Sequence, residues 1–277
     1  MTGEHALEVA RGERFKFGEN WSRFLQVLDE ERIAEAVNSM KQLLGVESLA
    51  GKTFLDAGSG SGLFSLAARK LGARVSSFDF DPQSVACTEE LKRRDGASDE
   101  EWTVNQASVL DPAYLKGLGQ FDIVYSWGVL HHTGQMWNAL ANVDDCVKPG
   151  GTLVVAIYND QGGDSRRWTA VKKLYVKSPA IIRGVLLAVC LIVTWWKDFL
   201  NDFLHFRPFH SWRAYKKNRG MSAWRDLVDW VGGYPFEVAK PEEIFEFYKK
   251  RYYSLVQLKT CAGGKGCNEF VFRKEFS

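Results

Sequence analysis

Residues 54–62 read Phe54-Leu55-Asp56-Ala57-Gly58-Ser59-Gly60-Ser61-Gly62, and the acid Asp79 follows seventeen residues after the last glycine. An apolar strand end runs here into a turn with glycine at every second position. Without Cβ atoms the backbone of such a turn approaches a ligand closely, and the helix beyond it offers free N–H groups. An acid about 20 residues downstream, at the tip of the next parallel strand, is placed to accept hydrogen bonds from ribose hydroxyls. An adenosine-bearing ligand therefore suits this segment.

Working outward, strand and helix patterns alternate on both sides of the turn. Strands are expected at 53–56, 74–79, 102–106, 121–126 and 152–158, the last after the turn Lys148-Pro149-Gly150-Gly151. Helical patterns fall between them, one of them at 84–94 with its start marked by Asp81-Pro82. Strands separated by helices imply a parallel sheet covered on both faces, with ligands at the carboxyl ends of its strands. Upstream, Phe24, Leu25, Leu28, Ile33, Val37, Met40, Leu43 and Leu44 recur at helical spacing up to Gly45, as one or two amphipathic helices. Near the end, a helix at 242–250 and strands at 255–260 and 268–273 add an antiparallel hairpin to the sheet.

Two details narrow the ligand. The spacing is G-x-G-x-G, not the G-x-G-x-x-G of dinucleotide folds, and Asp56 stands two residues before the first glycine. A carboxylate there repels a pyrophosphate and tolerates the ammonium and sulfonium of S-adenosylmethionine (SAM). The stretch resembles motif I of the seven-strand, class I SAM-dependent methyltransferases. Residues 121–126 with Val129-Leu130-His131-His132, followed by Lys148-Pro149-Gly150-Gly151, resemble the quinone-methylating branch.

The resemblance covers residues 52–158 and 241–274. It implies an α/β, Rossmann-like sheet of seven mostly parallel strands with SAM as cofactor. By position, Gly58, Gly60 and Gly62 lie under the methionine half of SAM, and Asp56 helps hold its ammonium. Asp79 takes the ribose hydroxyls and Phe80 packs on the adenine. Where the family often has an acid reading the adenine amino group, this chain has Ser108, with the Val109 N–H beside it. The backbone of Ser126 and Trp127 borders the sulfonium. Phe17, Asn20 and Trp21 resemble an aromatic lid, with Trp21 as a core anchor of the N-terminal helix the even alternative. The implied organisation is a helical lid at 1–51, a SAM-binding core at 52–159 and 236–277, and an inserted helical cap at 160–235.

The acceptor is less legible. Methyl transfer is an in-line displacement, so the protein chiefly aligns the acceptor and excludes water. A base is needed only for a hydroxyl or an acidic carbon, and His131, His132, Tyr158, His205, His210 and Tyr234 are the candidates. His131 is favoured as base, with Tyr158 beside it. The chain lacks an Asn/Asp-Pro-Pro-Tyr tetrad after the fourth strand, and no His/Asp/Glu cluster has metal-ligand spacing.

Composition fits a globular protein, with 45% hydrophobic and 25% charged residues. Five cysteines without zinc spacing and a charged beginning in place of an apolar leader suggest a cytoplasmic setting. The net charge of +2 conceals segregation, because Ser165–Arg225 holds thirteen Lys and Arg against two acids. Six of the ten tryptophans lie in residues 160–235, which enclose this stretch. Its apolar run Gly184–Trp196 has 13 uncharged residues, short of the roughly 20 of a spanning helix. It is expected to line an acceptor pocket, form a dimer interface or touch an anionic inner-membrane surface. Grease and positive charge together suggest a small hydrophobic or amphiphilic anionic acceptor methylated on oxygen or carbon. An RNA-directed methyltransferase and a catalytically silent SAM-binding protein remain the competing readings, although nucleic acid is not the expected partner.

Overall fold

The structure is a computed structural model and describes residues 2–276. Seven strands form one sheet in the order β3-β2-β1-β4-β5-β7-β6. They are β1 (Thr53–Ala57), β2 (Arg74–Asp79), β3 (Trp102–Gln106), β4 (Phe121–Trp127), β5 (Val147–Tyr158), β6 (Tyr253–Lys259) and β7 (Cys267–Lys274). The first five are parallel, and β7 inserts antiparallel between β5 and β6. The expected α/β architecture with an antiparallel C-terminal hairpin is borne out. Because the sheet grows from β1 in opposite directions toward β2 and β4, a crevice opens at the carboxyl ends of β1 and β4.

Buried side chains on both faces explain the near-continuous apolar strands Phe54–Ala57 and Leu153–Ile157. Helices α1 (Thr2–Ala10), α2 (Phe17–Leu25), α3 (Glu30–Leu44), α4 (Leu63–Lys70) and α5 (Pro82–Asp95) precede β3. Asp29 caps α3 by accepting the Arg32 N–H, Asp81 caps α5 by accepting the Gln83 N–H, and Gly45 ends α3 in the left-handed region. Phe24, Met40, Leu66, Ala67 and Leu91 from these helices cover one face of the sheet. The other face is covered by α6 (Pro112–Leu118) and α7 (Met136–Asp144), through Leu115, Leu140 and Val143, and by Ile244 and Tyr248 near the C-terminus.

Between β5 and that C-terminal segment the chain forms α8 (Gly163–Lys177), α9 (Ala180–Leu204), α10 (His210–Ala214) and α11 (Ala223–Gly232), and α12 (Pro241–Lys249) resumes the main body. Tyr175, Val176, Cys190, Leu227 and Val231 form a core of their own with Phe15 from the N-terminal segment. Two expectations change here. The Lys148–Gly151 turn is absorbed into β5, whose register against β4 slips between Phe121 and Ile123 to accommodate it. The apolar run is part of a helix of 25 residues, which by length and composition is long and apolar enough to cross a membrane. Counting uncharged residues between Arg183 and Lys197 missed this, because the helix carries its apolar pattern past both. Leu186, Leu187, Cys190 and Leu191 of α9 join the small core it shares with α8 and α11.

Candidate functional site

After β1 the chain turns through Gly58, Gly60 and Gly62, with φ of +89°, +56° and +80°. Side chains disfavour this region, so the alternating glycines follow from backbone geometry. Their neighbours separate their roles. A Cβ on Gly58 would stand 2.3 Å from Val129 Cγ1, and one on Gly60 would stand 3.0 Å from Trp21 Nε1. A Cβ on Gly62 would meet Thr88 Cα at 2.8 Å, so Gly62 permits α4 to pack on α5 and does not face the crevice.

Gly58 and Gly60 open onto a cavity of about 950 Å³ that runs from Asp79 to the underside of the helices inserted after β5. The Gly60 N–H donates to Asp79 Oδ2 at 2.9 Å, and the Asp81 N–H donates to Asp79 Oδ1 at 2.9 Å. Asp56 accepts from Ser65 Oγ at 2.5 Å, and Ser65 is bonded to Ser77, which accepts from Trp102 Nε1. Burial pushes the Asp56 carboxyl up to about 7, opposed by the Ser65 hydrogen bond and aided by the charge of Asp79. Burial likewise lifts Asp79 to about 6 against the pull of the two N–H donors. Two carboxyls strained toward neutrality beside one cavity are a receptor for a cation, which lets both ionise. The Trp127 indole N–H is buried beside the same cavity without a partner among the described residues. Carboxylates, glycine backbone and orphaned donor together fit the adenosine, ammonium and sulfonium groups of SAM.

The remaining expected residues divide. Phe17, Trp21, Phe80, Ser108, Val109 and Trp127 line the cavity with Asp56 and Asp79. Ser108 Oγ accepts the Leu110 N–H at 3.1 Å, so its hydroxyl first serves the turn after β3. Two expectations need correction. Asn20 is turned away, donating to Arg225 O and Asp229 Oδ1, and so ties α2 to α11. Ser126 does not line the cavity, which its neighbour Trp127 reaches; its buried hydroxyl donates to Ala57 O at 2.8 Å and locks β4 to β1.

The histidine pair is also reassigned. His131 is fully buried outside the cavity, its ring 3.9 Å from that of Tyr158 and its Nδ1 accepting the Tyr158 N–H. The 3-10 turn Leu130–His132 sends consecutive side chains in different directions, and it is His132 that reaches the cavity. His132 Nδ1 lies 2.6 Å from Pro235 O, and a carbonyl only accepts, so Nδ1 carries the proton and Nε2 the lone pair. Burial and the Lys172 charge hold this imidazole down at about 3. Tyr158 lines the cavity, with its phenol pushed well above its ordinary range by burial.

Of the remaining wall residues, Arg219 belongs to the basic group the sequence marks in the inserted segment as able to pair a phosphate or carboxylate, whereas His5, Arg14, Asp226 and Asp229 had no sequence signal. His5 and Arg14 flank Phe80, with ring centroids 5.5 Å apart for His5 and the guanidinium 5.0 Å from the Phe80 centroid. Arg219, Asp226, Asp229 and Trp230 close the far end. Burial raises Asp226 to about 6 despite the hydrogen bond from Tyr215, and raises Asp229 well above its usual range. They are legible only from the inserted helices, whose periodicity marked no face.

Residues 55–153 match the family described as "Methyltransferase domain". The ribosomal protein L11 methyltransferase of Alteromonas mediterranea is 49% identical over 61 residues, 22% of this chain and 20% of that protein. The ubiquinone biosynthesis O-methyltransferase of Methylococcus capsulatus is 27% identical over 150 residues, 53% of this chain and 62% of that one. The chain thus spans less than two thirds of the length of these curated relatives. Among solved structures, a Burkholderia thailandensis 1,6-didemethyltoxoflavin-N1-methyltransferase with bound S-adenosylhomocysteine superposes with a TM-score of 0.51 at 16% identity, covering 99% of this chain and 91% of that one. The magnesium protoporphyrin IX methyltransferase of Synechocystis PCC 6803 with bound SAH gives 0.51 at 13% identity, over 88% and 84%. At these identities the likeness is one of fold.

Proposed function

We propose that the chain is a class I SAM-dependent methyltransferase, built on the methyltransferase domain matched by residues 55–153, and that it transfers a methyl group from SAM to an oxygen or carbon of a small hydrophobic or amphiphilic anionic acceptor. The observation that carries this reading is the continuity of one cavity from Gly60 and Asp79 to an aromatic wall of Tyr158, Trp195, Tyr215 and Trp230. SAM supplies an electrophilic methyl on a sulfonium. Asp56 and Asp79 hold its charged and ribose ends, and Trp21 covers the glycine turn.

The acceptor's apolar body rests on the tryptophans, and an anionic group on it is met by Arg219 or Lys265 in the same wall. His132 Nε2 accepts a hydrogen bond from an acceptor hydroxyl and orients it. Asp226, at about 6, is the wall carboxyl whose affinity for protons suits uptake near neutrality. With the lid and inserted helices tied through Asn20, water is excluded from the reacting atoms.

Incubating purified protein with methyl-labelled SAM and a fractionated cell extract tests the proposal. Label is expected in an organic-soluble small molecule. Label confined to RNA or protein, or no transfer under conditions where SAM binds, would refute it.

A further inference from the structure

Helix α9 has two apolar faces. Leu186, Cys190 and Leu191 pack into the core of the inserted helices, and Trp195 faces the cavity. On the opposite side Val185, Val189, Ile192, Trp196, Leu200 and Phe203 recur every three or four residues and face solvent, with Ile192 66% and Phe203 73% exposed. Arg183 does not interrupt this stripe, since its guanidinium turns to Tyr175 O and Val176 O. The helix runs into a turn where Phe206 and Phe209 adopt φ of +53° and +61°, a region unfavourable for bulky residues, and Phe206 is 93% exposed.

An apolar stripe of this extent on a water-facing helix calls for a cover. Its surroundings choose the cover. Lys197 on the helix, Arg207 in the phenylalanine turn and Arg213 on α10, which packs on α9, are exposed, with Asp198 as the exposed acid. Asp202 is buried on Ser211. Ser165–Arg225 as a whole carries thirteen cations against two acids. A second copy would bring like charge against like charge. A spanning pose would need lipid around the whole helix, whereas its inner face is packed on α8 and α11.

We propose that the outer face of α9 and the Phe206–Phe209 turn lie in the surface of an anionic bilayer, with the apolar side chains among the acyl chains and Lys197, Arg207 and Arg213 against the headgroup phosphates. Trp195 and Trp196, about 100° apart around the helix axis, then point one into the cavity and the other into lipid. The docking surface is independent of which acceptor the cavity takes.

Flotation of the full chain with vesicles of phosphatidylglycerol and phosphatidylcholine tests it, with S-adenosylhomocysteine binding as the check that each variant is folded. The wild type is expected to float with the anionic vesicles, and to bind about tenfold less tightly to phosphatidylcholine alone or at high salt. The double variants Phe206→Ser with Phe209→Ser, and Arg207→Glu with Arg213→Glu, are each expected to weaken binding by roughly tenfold while the nucleoside still binds. The proposal is overturned if the wild type stays unbound, if both double variants float as it does, or if α9 instead mediates a dimer that Ile192→Glu dissociates.

Discussion

The guanidinium carbon of Arg219 lies 3.3 Å from the centroid of the Trp127 ring, and its Nη2 donates to Tyr125 Oη at 3.0 Å. One residue thereby fastens the segment inserted after β5 to the carboxyl end of β4, at the edge of the glycine turn. Its backbone sits at φ +54°, and its side chain also stacks on Phe64 at 4.5 Å.

Arg219→Ala should loosen this closure and weaken S-adenosylhomocysteine binding by roughly 2- to 30-fold, the range of a cation–π contact. Arg219→Lys keeps the charge without the planar stack and should fall between. Isothermal titration of the three proteins reads the order directly. Equal affinities would show that the contact contributes nothing to closure.

Asp56 and Asp79, at about 7 and about 6, both titrate above the ordinary carboxyl range. Between about pH 4 and pH 7 the folded chain therefore retains protons that the unfolded chain has released, and the stability of the ligand-free protein falls as pH rises through that window. Asp56→Asn should flatten this slope and raise the melting temperature at about pH 8 by a few degrees. Stabilisation by SAM should be larger at about pH 8 than at about pH 5, because the cation meets ionised carboxylates only at the higher pH. Melting curves at both pH values, with and without SAM, check the sign.

Gly18 and Gly62 are predicted to matter for packing. A Cβ on Gly18 would stand 2.5 Å from Gln83 Cβ and 2.6 Å from Ser84 N, where α2 meets the start of α5. Its N–H also donates to Asp81 Oδ2 at 2.8 Å. Gly18→Ala and Gly62→Ala should each cost about 1–3 kcal/mol of stability by overpacking. Denaturant titration measures it, and wild-type midpoints would contradict the close approach.

Much of this was legible from the chain because single residues carried it. Asp56, the glycines and Asp79 are adjacent in sequence to the strand ends that position them, so spacing alone placed them in one crevice. The limits of β2 and β3 followed for the same reason. The failures lie where geometry is tertiary. Gly62 belongs to the motif yet faces Thr88, and Asn20 belongs to the lid yet points to Asp229, because each answers to a helix distant in sequence. The wall formed by Asp226 and Trp230 is set by how α11 docks, which local periodicity does not encode.

The adjacent histidines give a sharp contrast. His132→Gln should lower turnover by roughly 10- to 1000-fold at near-normal cofactor affinity, since His132 lines the cavity and its Nε2 keeps the lone pair. His131→Gln should act through stability, its ring being packed on Tyr158 away from the cavity. Methyl-transfer rates and melting temperatures measured on both variants separate the two roles. Loss of turnover in the His131 variant alone, with its melting temperature unchanged, would restore the opposite assignment.

The central claim is that the cofactor lies between the Gly58–Gly60 turn and Asp79 beneath Trp21. Titrating S-adenosylhomocysteine into the wild type, Asp79→Ala and His131→Gln, followed by tryptophan fluorescence and calorimetry, tests it most directly. The account predicts one site per chain with a fluorescence change from Trp21 and Trp127, weakened at least about tenfold in Asp79→Ala, where charge-assisted hydrogen bonds are removed, and kept in His131→Gln. Absence of binding by the wild type, or equal affinity in Asp79→Ala, would contradict it.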